Sequence, residues 1–318
     1  MRLRPTMLAI AALCLAMARP ALAQDTPVKG RPCLFLHGLG TAGKKVGFSS
    51  KPPNVELLDG SMVPYWGKVE SELAGVCSSF EYANFVESGG GAPPADWRDA
   101  DVQRAYYERA KAVYDKGGVV FAHSMASNIL GGACMSQKLC AAKWYSLGGP
   151  IRGSRAAKVQ SPRLSTGSVL PMSLDPSVAG LGDSGLAQVI ASKQLLKGGV
   201  CGTSGWGGGG AAGAALIRIV NLAYGPASDA CRAGEKKLSG PCNSWHDIPA
   251  DGVVHVDECA RYQGTGASGK PETMDLGKFS QDPASPFFLV PSTHYDLTGS
   301  GGNHNNIFDW MRGAATRG

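Results

Sequence analysis

Several features that would place a protein in a class are missing from this 318-residue sequence. Beyond the amino terminus, no apolar run approaches the roughly 20 residues of a membrane-spanning helix, and the carboxyl terminus is polar, so we expect neither an integral membrane segment nor a glycolipid-anchor signal. No cysteines are spaced C-x-x-C, which disfavours zinc and redox sites. Lysines and arginines are scattered, which disfavours nucleic-acid binding. No repeat of fixed period is visible, and no glycine-rich nucleotide fingerprint follows a strand.

What is present begins with a predicted export signal at residues 1–23. Arg2 and Arg4 precede the apolar segment MLAIAALCLAMA, and Ala21-Leu22-Ala23 forms a small-residue cleavage site. Cleavage removes three arginines and reduces the formal net charge from +6 to +3, because 28 of the 31 basic residues remain against 25 acidic ones. We therefore expect a secreted mature chain of residues 24–318, folded as one domain.

The cysteine content agrees with export. Cys14 leaves with the signal peptide, and the even number that remains is typical of disulfide bonding outside the cell. We expect Cys33–Cys77, each just ahead of a predicted strand, and Cys134–Cys140 as a local link. The other four cysteines, whose pairing is left open, are Cys201, Cys231, Cys242 and Cys259.

Apolar strand-like segments alternate with helical segments along much of the chain. Strands are predicted at CLFLHG (33–38), SSFEYANFV (78–86), VVFAHS (119–124), AKWYSLGGP (142–150) and PFFLVPSTH (286–294). Helices are predicted at 99–117 behind an Asp99 cap, directly after Ser124, and near NIFDWMRG at the carboxyl terminus. This alternation predicts an α/β fold with a mostly parallel central sheet flanked by helices.

The pattern is looser between about 155 and 245, and the segment 196–216 is dense in glycine. We interpret this interval as a glycine-rich cap or lid insertion over a pocket, with a flexible linker as the alternative.

Ser124 lies in AHSMA, at the junction of a predicted strand and a predicted helix. A nucleophile elbow of the G-x-S-x-G type needs small residues two positions before and after the serine, and Ala122 and Ala126 satisfy that requirement of size. Ser124 is therefore a candidate nucleophile, and the alternative is a serine that only caps the helix. The backbone N–H groups of Leu39, in FLHGLG, and of Met125 are candidates for an oxyanion hole, which acyl transfer requires.

Together, HGLG (37–40), AHSMA (122–126) and GGPIRGS (148–154) resemble the lipase-like secreted serine esterases of the α/β-hydrolase superfamily. The resemblance covers roughly residues 32–154 well and the later regions more thinly. It implies an α/β-hydrolase fold and a triad in the order serine, acid, histidine. Replacement of both elbow glycines by alanine departs from the pattern.

For the acid, the resemblance favours Asp251 in PADGVVHVDEC, and the competing carboxylates are Asp247, Asp257 and Glu258. For the base, His294 follows the last strong predicted strand, where loops hold catalytic groups near the edge of the sheet. His304, in GGNHNN, stays open as the alternative.

These residues predict an esterase or lipase that acts through an acyl-enzyme on a small-molecule or lipid ester. No metal or organic cofactor is expected, and transient contact with a lipid surface is compatible with the sequence. The alternatives are a secreted binding protein with a decayed site on a hydrolase scaffold, and a peptidase or thioesterase of the same fold.

Overall fold

A computed structural model of the chain describes residues 30–38, 45–56, 62–86, 96–154, 185–203, 251, 254, 256–260, 279–299 and 306–317. The predicted signal peptide and most of the predicted insertion at 155–245 lie outside these residues.

Strands and helices alternate along the described ranges. The strands are β1 (Arg31–Leu36), β2 (Lys45–Ser49), β3 (Asn54–Glu56), β4 (Met62–Pro64), β5 (Cys77–Val86), β6 (Val119–His123), β7 (Trp144–Leu147), β8 (Leu196–Gly202) and β9 (Phe287–Val290). The helices are α1 (Val69–Glu72), α2 (Ala100–Tyr114), α3 (Ala126–Gln137), α4 (Leu186–Ser192), α5 (Val256–Ala260) and α6 (Ile307–Arg317), with a 3-10 turn at Asp296–Thr298.

Seven of these strands form one sheet in the order β2-β5-β1-β6-β7-β8-β9. All neighbouring pairs are parallel except β2 with β5, which places the antiparallel strand at an edge. The sheet and its flanking helices have the arrangement of an α/β-hydrolase, which confirms the predicted fold class. The parallel strands all end at one edge of the sheet, so the loops after β1, β6 and β9 come together there.

Both faces of the sheet are buried because helices pack against each of them. Successive side chains on a strand point to opposite faces and therefore enter different clusters. On β1, Leu34 and Leu36 pack in a cluster with α2, α3 and α4, whereas Cys33 and Phe35 pack in a second cluster with α1 and α6. This two-sided burial explains why the central strands appear in the sequence as nearly continuous apolar runs rather than as alternating ones.

Residues 185–203 lie inside the interval that the sequence favours as an insertion, yet they form α4 and β8, and β8 is a strand of the central sheet. The glycines of β8 have a packing reason. A Cβ atom on Gly198 would lie 2.3 Å from the carbonyl oxygen of Pro286, and one on Gly202 would lie 2.4 Å from that of Ser292. Glycine at these positions permits close approach of the neighbouring backbone and does not mark a linker.

Three disulfide bonds lie in the described part of the chain. Cys33–Cys77 links β1 to β5 and Cys134–Cys140 closes a short loop after α3, so both predicted pairings are confirmed. The third bond joins Cys201 on β8 to Cys259 on α5. Cys231 and Cys242 lie outside the described residues.

Candidate active site

Ser124 occupies a sharp turn between the end of β6 and the start of α3. Its φ angle is 55°, in the left-handed region that non-glycine residues adopt infrequently and that marks strain at functional sites. The turn is held to the neighbouring strand because Ser124 N–H donates to the carbonyl oxygen of Leu147 at 2.8 Å. The N-cap residue of α3 is Met125, with no side-chain capping bond, so the helix-capping interpretation of Ser124 is wrong.

Small residues surround this turn because the backbone of the loop after β1 lies against it. A Cβ atom on Gly38 would lie 2.6 Å from the Met125 nitrogen and 2.7 Å from the Ser124 Cβ. Ala122 and Ala126 are fully buried, which agrees with the predicted need for small side chains on both sides of the serine. The Met125 N–H is therefore adjacent to the loop that carries the candidate Leu39 donor. Leu39 itself lies outside the described residues.

Asp251 and His294 form a buried pair at the same edge of the sheet. Asp251 Oδ2 lies 2.7 Å from His294 Nδ1, and only 2% of Asp251 and 6% of His294 is exposed. Because a carboxylate accepts, Nδ1 carries the proton in the neutral ring and Nε2 is left as an acceptor. This is the tautomer that a general base requires.

The backbone and side chain of Asp251 hold the pair in place. Its Oδ1 accepts from Val254 N–H at 2.7 Å, and its carbonyl oxygen accepts from His294 N–H at 2.8 Å. Gly148, with a φ of 56°, lies directly beneath: a Cβ atom there would be 3.1 Å from His294 Nδ1 and 3.2 Å from Asp251 Oδ2. The end of β7 therefore carries both the acceptor for Ser124 N–H and the floor of the Asp251–His294 pair.

The loop that carries His294 is closed on itself by Thr293 and Asp296. Asp296 Oδ2 accepts from the Thr293 N–H at 3.0 Å and from the Thr293 hydroxyl at 2.8 Å. Thr293, His294 and Asp296 are all buried. Ser124 and His294 are both described, and no hydrogen bond joins their side chains in this structure. Catalytic hydrogen bonds are often longer before substrate binds and tighten in the complex.

Two buried aromatic residues that the sequence did not single out as site residues, Tyr65 and His123, lie behind the candidate triad. The Tyr65 hydroxyl is hydrogen bonded to His123 Nδ1, and His123 Nε2 lies 3.0 Å from the His294 carbonyl oxygen. The rings of His123 and His294 are 4.4 Å apart between centroids. The position of His123 next to Ser124 was the available sequence signal, whereas nothing in the sequence marks Tyr65.

The histidines around the turn are kept neutral by burial. Burial lowers the pKa of His37 to about 4, against a smaller opposing effect of its hydrogen bond to the Gly38 carbonyl oxygen. Burial also lowers the pKa of His123 well below its ordinary value, and the neighbouring His294 adds to this effect. Neither ring therefore carries charge near the turn at neutral pH.

The remaining predicted candidates fall into two groups. Glu258 is buried in α5, where its carbonyl oxygen accepts from Arg152 N–H at 3.3 Å. The other competitors fall where no side chain is described, and they are Asp247, Asp257 and His304.

The described ranges contain neither a metal centre nor a membrane-spanning helix. No group of three or more histidine, cysteine, aspartate or glutamate residues is arranged there to hold a metal ion. Within the same ranges, no helix is long and apolar enough to cross a membrane.

Comparison with solved structures finds similarity to the crystal structure of Bacillus licheniformis lipase BlEst2 in mature form. The identity is 12%, the TM-score is 0.44, and the match covers 87% of this chain and 89% of that one. The same lipase in propeptide form matches at 12% identity with a TM-score of 0.37, covering 73% of this chain and 43% of that one. No family model matches the chain. None of the curated proteins matches it.

Proposed function

We propose that the protein is a serine hydrolase that cleaves carboxylic esters through an acyl-enzyme, with Ser124 as nucleophile, His294 as base and Asp251 as its partner. The observation that carries the proposal is the buried 2.7 Å contact between Asp251 Oδ2 and His294 Nδ1, at the same sheet edge as the strained Ser124 turn. This contact leaves Nε2 free to accept a proton, and the left-handed turn presents the serine at the end of a strand.

The first half of the reaction forms the acyl-enzyme. Ser124 Oγ attacks the ester carbonyl carbon while its proton passes to His294 Nε2, and Asp251 stabilises the imidazolium that results. Negative charge develops on the former carbonyl oxygen, where the N–H groups of Met125 and Leu39 donate hydrogen bonds. The C–O bond to the alcohol then breaks, and His294 returns the proton to the departing oxygen.

The second half hydrolyses the acyl-enzyme. Water gives a proton to His294 Nε2 and attacks the acyl carbon, and the carboxylic acid leaves as Ser124 Oγ takes the proton back. No redox step occurs, so no electron carrier takes part. The three disulfide bonds are typical of an oxidising compartment, and with the amino-terminal sequence they support secretion of the enzyme.

A fluorophosphonate probe tests the nucleophile. We expect the native protein to be labelled and to hydrolyse p-nitrophenyl esters, and we expect Ser124→Ala to abolish labelling and reduce kcat by at least about 10³-fold. Ser127→Ala is the matched control, because Ser127 is also buried near the start of α3 and bonds Ser146 at 2.8 Å. An unlabelled native protein, or labelling that survives Ser124→Ala, contradicts the proposal.

Histidine substitutions test the base. We expect His294→Ala to reduce kcat by at least about 10³-fold, because Ser124 then loses its proton acceptor, whereas His304→Ala retains most activity. The measurement is steady-state ester hydrolysis over a series of acyl chain lengths, which also defines the preferred substrate. The reverse ranking of the two variants would transfer the role of base to His304.

A further inference from the structure

Three loops at the candidate site are joined by two buried side chains that take no part in the proposed chemistry. Gly38 N–H, in the loop after β1, lies 3.4 Å from the Tyr65 hydroxyl oxygen. That hydroxyl bonds His123, at the end of β6, and His123 bonds the carbonyl oxygen of His294, in the loop after β9. Resting on the proposed function, we infer that Tyr65 and His123 are positioning residues. They fix two loops relative to the turn at Ser124: the loop after β9, which carries His294 and is called the base loop, and the loop after β1, which carries Gly38.

The directions of these hydrogen bonds follow from their chemistry. A carbonyl oxygen only accepts, so His123 Nε2 carries a proton and donates to His294. In a neutral ring Nδ1 is then an acceptor, and the Tyr65 hydroxyl donates to it. The Tyr65 oxygen keeps a lone pair for Gly38 N–H. Each of the three hydrogen bonds therefore has one defined direction: Gly38 donates to Tyr65, Tyr65 donates to His123, and His123 donates to His294.

Both side chains stay in the protonation states that this scheme needs. Tyr65 is 2% exposed and His123 is 1% exposed, and burial raises the pKa of the tyrosine while it lowers the pKa of the histidine. The titratable groups that face the His123 ring are Tyr65, His37 and His294, and a positive charge on His294 opposes one on His123. Hence the pair remains neutral while the neighbouring base gains and loses a proton.

The pair acts on the backbone and not on the reacting atoms. His123 holds the carbonyl oxygen of His294, while Asp251 holds the ring of the same residue. Gly38, which Tyr65 contacts, packs against the Met125 nitrogen. Loss of these restraints allows shifts at the base and at an oxyanion donor, and a misplacement of about 1 Å can reduce a rate about 10²-fold.

Tyr65→Phe is the test, because it removes the hydroxyl and keeps the buried ring. We expect kcat and the rate of fluorophosphonate labelling to fall about 10- to 100-fold, with KM changed less than about threefold, since both side chains are buried. Tyr82→Phe is the matched control: Tyr82 is another buried tyrosine of the same hydrophobic cluster, and its hydroxyl donates to Glu70 of α1 at 3.0 Å. It should retain kcat.

Substitutions of His123 test the direction of its hydrogen bond to the His294 carbonyl oxygen. His123→Gln retains an N–H group to donate to the His294 carbonyl oxygen, whereas His123→Leu has none, so we expect glutamine to keep at least about tenfold more activity than leucine at comparable folded fractions. In the native protein, ¹⁵N NMR should show His123 protonated only on Nε2 from pH 5 to 8. A merely structural pair would affect melting temperature without this ranking.

The outcomes separate the two proposals. A native protein that is neither labelled nor active overturns the proposed function and the positioning role with it, while the NMR signature still decides whether Tyr65 donates to His123. An active native protein overturns the positioning role alone if Tyr65→Phe and Tyr82→Phe have equal kcat, or if His123 carries its proton on Nδ1. Loss of kcat in Tyr65→Phe only, with the Nε2 tautomer in the native protein, supports both.

Discussion

Asp251→Asn is the substitution whose result the structure constrains most closely. Asp251 uses both carboxylate oxygens, Oδ1 for Val254 N–H and Oδ2 for His294 Nδ1–H, each at 2.7 Å. Asparagine has one oxygen and one NH₂ group, so it can accept from Val254 only by turning the NH₂ group toward His294. That group donates to Nδ1, and the imidazole proton is displaced to Nε2. The ring can then no longer accept the Ser124 proton.

The expected loss is larger than that of a hydrogen bond alone. A hydrogen bond to a charged group contributes about 1.5–3 kcal/mol, which corresponds to roughly 10- to 150-fold in rate. The wrong tautomer reduces kcat of a serine–histidine–aspartate triad by about 10⁴-fold, or about 5.5 kcal/mol. Because the Val254 bond fixes the orientation of the asparagine side chain, we expect the larger figure.

The assay is kcat/KM for a p-nitrophenyl ester near pH 7.5, with the His294 tautomer read by ¹⁵N NMR. Asp296→Asn is the control: Asp296 is a second buried carboxylate in the base loop, bonded to Thr293, and we expect a loss of no more than about tenfold. Activity of Asp251→Asn within tenfold of the native protein, or a His294 that keeps its proton on Nδ1, would contradict this prediction.

The packing at Gly38 and the lengths of the disulfide loops give two further predictions. Gly38→Ala should reduce kcat at least about 10²-fold with a smaller effect on melting temperature, because the added Cβ meets the nucleophile turn at 2.6 Å; unchanged ester hydrolysis would contradict this. Replacing Cys201 and Cys259 by serine should cost about 4 kcal/mol of unfolding free energy, against about 2 for the Cys134–Cys140 pair, because the bonds span 58 and 6 residues. Denaturant unfolding of the two double variants measures the difference, and equal losses would count against it.

The elements that the sequence predicts well are those with two agreeing local signals. Asp99 precedes a run of helix-forming residues, and in the structure its side chain accepts from the N–H groups of Asp101 and Val102 at the start of α2. VVFA, which leads into His123, is apolar because β6 is central and buried on both faces. Ser124 could be singled out as a candidate because strand, small residues and helix occur in a fixed order around it.

Elements whose signal depends on distant neighbours were not predicted. The glycines of β8 favour a loop in the sequence, but Gly202 is required by the backbone of Ser292 and by the Cβ of Asp251, which a Cβ on Gly202 would approach to 2.7 Å. The Cys201–Cys259 bond lies in the same region and packs with Val254, close to the candidate acid. Local composition cannot reveal a contact that is formed only when β8 and the segment after 250 meet.

The Tyr65–His123 pair shows where this limit affects the candidate site itself. Parallel topology alone brings the loops after β1, β6 and β9 to one edge, so a sequence that predicts the sheet also predicts that Gly38, His123 and His294 are neighbours. It does not predict what holds them, because Tyr65 comes from outside the parallel strands, 58 residues before His123. Buried polar groups need defined partners in a low-dielectric interior, so a side chain from a loop can determine the geometry that the strands only approximate. The reactive residues of such a site are therefore readable from motifs, whereas the residues that align them are found only by following each buried donor to its acceptor.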